Sequence, residues 1–306
     1  MGAKATRDSF GEAVRDLGKE NPAIVVLDAD LSVSTKSVTF AKSFPERFFQ
    51  MGIAEANMIG TAAGMAFSGL IPFCCSFGCF LTGKYETIRV SVGYSRANVK
   101  LVGTHAGLGI GEDGYTQMGL EDMNLMRGLP GMTVINPSDD KTTRAAVRFA
   151  VDYQGPVYLR LTRQKLPDVH ASEAVFKIGK GIVLKKGAKL ALIGTGAAVT
   201  EALQASEKLA KHNPWVVDIH TIKPIDRDLL KTLAHECTHI VTVEDHNVIG
   251  GLGSAVSEVL SENGFQGKLL RLGVQDTYGE SGLPDELFEK YGFSAHQIVQ
   301  KVNDWC

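Results

Sequence analysis

The chain has 306 residues, with 32 Lys plus Arg against 34 Asp plus Glu, so its net charge of −2 leaves no basic stripe for nucleic acid or an anionic membrane. At 44% hydrophobic, with 33 Gly and only 10 Pro, it can fill a core, which excludes global disorder and suits an α/β protein with many tight turns. Five Cys, an odd count with Cys74, Cys75 and Cys79 crowded together, give no disulfide framework; with a polar start and apolar passages broken by Gly, Ser and Pro, the chain reads as reduced, cytoplasmic and without a membrane span.

The segment TRDSFGEAVRDLGK carries apolar residues at helical spacing and opens the chain with a helix. AIVVLDAD (23–30) is a β-branched run ending in acids, the pattern of a buried parallel strand. A short helix around Val38–Ser43 follows, and ERFFQMGI reads as a strand or strand end. AEANMIGTAAGMAFSG (54–69) is a helix of small residues, and LIPFCCSF (70–77) a buried strand. One helix is predicted over 80–95, a strand over 99–105 and a glycine-rich loop over 106–119. Helix LEDMNLMRGL, strand MTVINPS, helix DKTTRAAVRFAVDY and strand PVYLRLT (156–162) complete a first unit. Residues 163–187, rich in Lys and Gly, predict a connector with a hairpin. Strands KLALIGTG, WVVDIHTI, HIVTVEDH and KLLRLGV then alternate with three helices. The expectation is two doubly wound, mostly parallel α/β domains, 1–170 and 187–306, joined by a linker over 171–186.

Several motifs have plain structural readings. His235-Glu236-Cys237-Thr238-His239 fits H-E-x-x-H, but zinc needs both His on one continuing helix, and here His239 opens a strand. Gly109-x-Gly111-x-x-Gly114 starts no convincing helix. KLALIGTGAAV is better placed, with Asp218 ending the next strand, but Val199 stands where a dinucleotide fingerprint has its third Gly. Asp28 and Asp30 lie at a strand's carboxyl end, where turn chemistry and a ligand site are both open. The three clustered Cys suit a buried strand as small core residues.

One constellation asks for chemistry. Glu55 begins an otherwise apolar helix among Gly52, Ile53, Ala54, Ala56 and Asn57. A carboxylate in such company is desolvated, the condition under which an acid keeps a proton near neutral pH; helix-start capping is the alternative. Phe77 and Phe80 flank a strand end and offer flat surface to an aromatic ring. His105 and the loop GEDGYTQ add strand-end polar groups, and Arg163 and Arg7 are suited to a phosphate. Together they fit a heteroaromatic cofactor and a phosphorylated substrate.

The whole chain resembles the C-terminal half of transketolase, its pyrimidine-binding domain followed by its C-terminal domain. The resemblance runs through ATRDSFGEAV, LDADLSVST, RFFQMGIAEANM, PFCCSFGCFLTGKYETIR, GTHAGLGIGEDGYTQMGLEDM, INPSD, VYLRLTRQ, TIKPID and VEDHNVIGGLG. It implies a two-carbon ketol transfer from a ketose phosphate to an aldose phosphate, with thiamine diphosphate as cofactor. By the resemblance, Glu55 hydrogen-bonds the ring nitrogen of the cofactor's aminopyrimidine and drives the imino tautomer that removes the thiazolium proton. Phe77 and Phe80 match the aromatics stacked on the pyrimidine. His105 and Asp113 match contacts to substrate hydroxyls, with His105 also in the catalytic set, and Ser34, Arg7 and Arg163 match the phosphate end.

Gln117 stands where bacterial-type transketolases usually have His, as in the mammalian-type pattern, and can donate a hydrogen bond to a substrate hydroxyl. Gly83 replaces a further aromatic. No G-D-G occurs in the chain, whereas a complete transketolase has one in an N-terminal domain that holds the metal and diphosphate. The resemblance therefore implies no metal ligand here, and a separate N-terminal subunit that binds Mg²⁺ (or Ca²⁺ or Mn²⁺) in an α2β2 assembly; a piece of a longer chain is the other account. The β chain of a 2-oxoacid dehydrogenase decarboxylase, a deoxyxylulose phosphate synthase and a non-catalytic module of the same fold are alternatives. GEDGYTQMGLED with TRQ favours transketolase over the first two, and Glu55, His105, Asp113 and Arg163 standing together argues against the third.

Overall fold

The computed structural model describes residues 3–306. Two sheets form its frame. The first has seven strands in the order Thr221–Lys223, Thr133–Ile135, Val157–Arg160, Lys100–Thr104, Ile71–Phe77, Ile24–Asp28 and Phe48–Gln50, all parallel except the first. Ile24–Asp28, Ile71–Phe77, Lys100–Thr104 and Val157–Arg160 are buried at every residue, the result of helices covering both faces. The second sheet has five strands in the order Lys268–Val274, His239–Asn247, Leu190–Gly194, Trp215–Asp218 and Ile182–Lys185, the last antiparallel. This is the doubly wound α/β architecture that the alternating pattern predicts. Its hydrophobic core crosses between the sheets, with Met123 and Met126 in one cluster with Ile193 and Val217.

Three elements differ from the sequence reading. The helix expected over 80–95 is broken into Gly78–Thr82, Tyr85–Thr87 and a wider π-type turn at Ile88–Tyr94. Gly83 caps the first piece and is a poor helix former, and Lys84 leaves helical geometry at φ −106° and ψ 36°. The strand WVVDIHTI is two strands in two sheets, because Asn136 N donates to His220 O at 2.8 Å and draws Thr221–Lys223 across to the first sheet. The connector's hairpin is reduced to one antiparallel bridge between Lys177 and Lys180, while Lys165–Pro167 pairs antiparallel with Ala3–Ala5 and Ile182–Lys185 edges the second sheet. Helices Pro284–Lys290 and Ala295–Trp305 lie beyond the last element read from sequence.

The decoy motifs resolve structurally. His235 sits in the last turn of helix Arg227–Glu236, and His239 opens its strand with its ring edge-on to Trp305. The turn at Gly196 (φ +55°) packs closely against the other sheet: a Cβ there would lie 2.5 Å from the Asn136 amide. All five cysteines are free. Among the described residues no helix is long and apolar enough to cross a membrane, and no group of three or more His, Cys, Asp or Glu is placed to hold a metal.

Candidate functional site

The connection from strand Ile24–Asp28 runs to Phe48–Gln50 on one side, and that from the adjacent strand Ile71–Phe77 runs to Lys100–Thr104 on the other. Such a switch opens a crevice at the carboxyl ends of the strands. The sequence puts its chemistry there. Asp28 ends its strand fully buried and accepts hydrogen bonds from Leu31 N (2.6 Å), Thr35 Oγ1 (2.7 Å) and Ser37 Oγ (2.8 Å). Its carboxylate therefore builds the turn that follows rather than facing a ligand. That turn, Ser32–Thr35, presents the Ser34 carbonyl to Arg7, whose Nη1 donates to it at 3.0 Å.

Arg7 lies in the first turn of helix Thr6–Glu20, and its Nη1 is 2.6 Å from His105 Nε2. A guanidinium only donates, so Nε2 accepts and the ring proton resides on Nδ1, which donates to Thr104 Oγ1 at 2.9 Å. Burial, and then the charges of Arg7, Arg163 and Lys36, push the His105 pKa down to about 3. His105 is thus a neutral imidazole of defined tautomer. In an NMR pH titration it should stay neutral from pH 5 to 8; an imidazole titrating near its ordinary value would contradict this geometry.

His105 adopts φ +56°, a left-handed backbone that non-glycine residues rarely take. The bend lays its ring on Phe77, with centroids 3.8 Å apart, and Phe77 stacks on Phe80 at 5.4 Å and 10°. Phe80 is half-buried, so the stack presents an aromatic face. Next to Phe77 on the strand, Ser76 Oγ donates to Glu55 Oε1 at 3.4 Å. Glu55 occupies the first turn of helix Glu55–Phe67 and is 8% exposed. That long bond leaves the carboxyl group with unspent hydrogen-bonding capacity beside a flat shelf, a fit to a heteroaromatic ring bearing a ring nitrogen.

The glycine-rich loop 106–119 borders this shelf, tied to Cys79 at one point. Arg163 Nη1 donates to Ile110 O at 2.9 Å and pairs with Asp113 at 3.3 Å. Both charges bear on Arg7, so this pair belongs to the same region, and Arg7 Nε is buried with no partner. Cys79 Sγ donates to Gln117 O at 3.2 Å, which ties the loop to the short helix carrying Phe80. Glu55, Phe77, Phe80, His105, Arg7, Ser34, Asp113, Gln117 and Arg163 are thereby linked near the carboxyl ends of the first sheet's strands, Ser34 and Gln117 through their carbonyls.

The sequence reading passes over the residues beneath. Arg160 Nε bonds Asp122 at 2.9 Å and 3.2 Å, and its Nη2 donates to Gly119 O (3.0 Å) and Asp245 O (2.8 Å). Asp245 accepts from Leu108 N at 2.7 Å and Gly109 N at 3.2 Å. The signal available was an Arg inside the apolar run VYLRL, since a buried charge requires a partner.

Residues 2–169 match the family model of the transketolase pyrimidine binding domain, and 179–298 that of the transketolase C-terminal domain. The chain belongs to the transketolase family. A chain of Methanocaldococcus jannaschii that carries the name of a transketolase C-terminal section is 46% identical over 304 residues, 98% of this chain and 95% of that one. A 6-deoxy-6-sulfo-D-fructose transketolase subunit of a Clostridium species is 39% identical, covering 97% and 93%. Human transketolase is 39% identical over 97% of this chain, which spans only 48% of it. A solved structure described as a split gene transketolase, inactive beta4 tetramer, superposes with a TM-score of 0.89 at 45% identity, covering 99% of this chain and 98% of that one. The transketolase of Leishmania mexicana shares the fold at a TM-score of 0.85 and 23% identity.

Proposed function

We propose that this chain is the C-terminal subunit of a split transketolase that transfers a two-carbon ketol unit from a ketose phosphate to an aldose phosphate. The observation that carries the reading is the continuous array of Glu55, Ser76, Phe77, His105 and Arg7 at the switch point of the first sheet. Thiamine diphosphate would supply a carbon nucleophile that accepts the two-carbon unit. Glu55 would hydrogen-bond the ring nitrogen of its pyrimidine, while Phe77 and Phe80 stack on the ring. His105, neutral and held by Arg7, would accept a hydrogen bond from a substrate hydroxyl as Arg7 turns to the phosphate. Asp113 and Gln117 would bind further hydroxyls, and Arg163 with Arg7 would bind the phosphate end, where the Ser34 carbonyl orients the Arg7 guanidinium.

The domains proposed are 1–170 for the pyrimidine and 187–306 for the C-terminal unit, with 171–186 between them. A separate N-terminal subunit would hold the diphosphate and a divalent metal, and copies of this chain would pair within an α2β2 assembly. Relatives that match end to end and carry the names of a C-terminal section or a subunit support this reading, as does the split gene structure. Five free cysteines support a cytoplasmic setting.

The test is ketol transfer between xylulose 5-phosphate and ribose 5-phosphate with thiamine diphosphate and Mg²⁺. Activity is expected only when this chain is mixed with the N-terminal subunit. Activity from this chain alone would refute the shared site, and a mixture that forms a complex yet acts only on 2-oxoacids would refute the reaction.

A further inference from the structure

The loop 106–119 leaves the first sheet after His105 and carries Asp113 and Gln117, yet its footing lies in the other half of the chain. Asp245, near the end of strand His239–Asn247, is 2% exposed and accepts from two consecutive loop amides, Leu108 N and Gly109 N. Gly107 (φ +88°) fits only because it lacks a side chain: a Cβ there would lie 2.1 Å from Asp245 Oδ2. The far end of the loop returns to the same strand, with Asn247 N donating to Leu120 O at 2.9 Å. Arg160 joins the far end of the loop to that strand through Gly119 O and Asp245 O.

We propose that Asp245 is a positioning residue for substrate: its carboxylate clamps the start of the loop that carries Gln117 and so sets Asp113 and the Ile110 carbonyl against Arg163. This rests on the ketol-transfer reading for its substrate, but the clamp itself does not. A carboxylate receiving two adjacent N–H groups defines the direction of the chain leaving it. Glu55, Phe77 and Phe80 stand on other elements, and the tie between Cys79 and the Gln117 carbonyl lies at the opposite end of the loop from the clamped amides, so loosening the start of the loop acts first on the substrate end.

The experiment compares wild type, Asp245→Asn and Gly107→Ala, each assembled with the N-terminal subunit. Asn keeps one acceptor oxygen and turns an amide toward the second N–H, while the Ala methyl displaces the carboxylate from the loop side. Hydrogen–deuterium exchange of 106–119 should quicken in both variants, with exchange over 71–77 and 157–160 unchanged. KM for the sugar phosphate should rise about tenfold, with kcat changed less than about threefold and thiamine diphosphate affinity unchanged. Unchanged loop exchange in both variants overturns the clamp, and a joint fall in cofactor and substrate affinity overturns the positioning role. Exchange needs no substrate, so a wild-type assembly that fails to transfer ketol units sinks the proposed reaction while the clamp is still decided.

Discussion

Replacing Glu55 by Gln should lower ketol transfer by about 10²–10⁴-fold, the span associated with losing one acid–base group, while the chain stays folded. Gln has nearly the same volume and reach, and still presents an oxygen to Ser76 Oγ. The bond lost or weakened is a 3.4 Å one, so little stability depends on it. What Gln cannot do is carry an acidic proton to a ring nitrogen. Steady-state rates of the assembled enzyme, with circular-dichroism melting of the same variant, separate the two effects. Turnover within about twofold of wild type would remove Glu55 from the chemistry.

Removing the carboxylate of Asp122 should be the most damaging single change to stability, at about 3–5 kcal/mol. Asp122 is fully buried and holds both Arg160 Nε and the Tyr158 hydroxyl, the latter at 2.7 Å. Asp122→Ala strands a guanidinium that is 3% exposed and leaves a buried phenol without its acceptor. The penalty comes from the uncompensated partner rather than from the worth of the pair. The double variant Asp122→Leu with Arg160→Met removes the stranded charge but leaves the Tyr158 phenol and the Gly119 and Asp245 carbonyls without it, so it should recover only part of the loss. Denaturant midpoints followed by tryptophan fluorescence measure this, Trp215 and Trp305 both lying in the second half. A double variant no better than Asp122→Ala would show that the pair does more than neutralise itself.

The legible parts of this molecule are those that follow from local pattern. The apolar runs ending at Asp28, Phe77 and His105 announce strands, and their carboxyl ends are where the chemistry-bearing residues gather. The helix starting at Glu55 was plain from its small residues. The breaks were harder to see, because helix 80–95 has unbroken apolar spacing and only Gly83 hints that it fails. Long-range pairings carry no local mark. Nothing in WVVDIHTI says that its last three residues belong to another sheet, and nothing near Asp245 says that it receives two amides from a loop more than a hundred residues earlier. His105 was visible as a strand-end residue, but its left-handed backbone and neutral state arise from what packs around it.

The exchange of one strand between sheets has a consequence for how this chain can be divided. Thr221–Lys223 seals the side of Thr133–Ile135 away from Val157–Arg160, and the Lys223 ammonium binds the carbonyls of Arg127 and Leu129 at 2.9 Å and 2.5 Å. Cutting within 171–186 would strip the N-terminal fragment of that cover and leave an open rank of backbone donors and acceptors, a template for intermolecular pairing. A cut between the halves therefore exposes a sheet edge that the intact chain covers from its own second half.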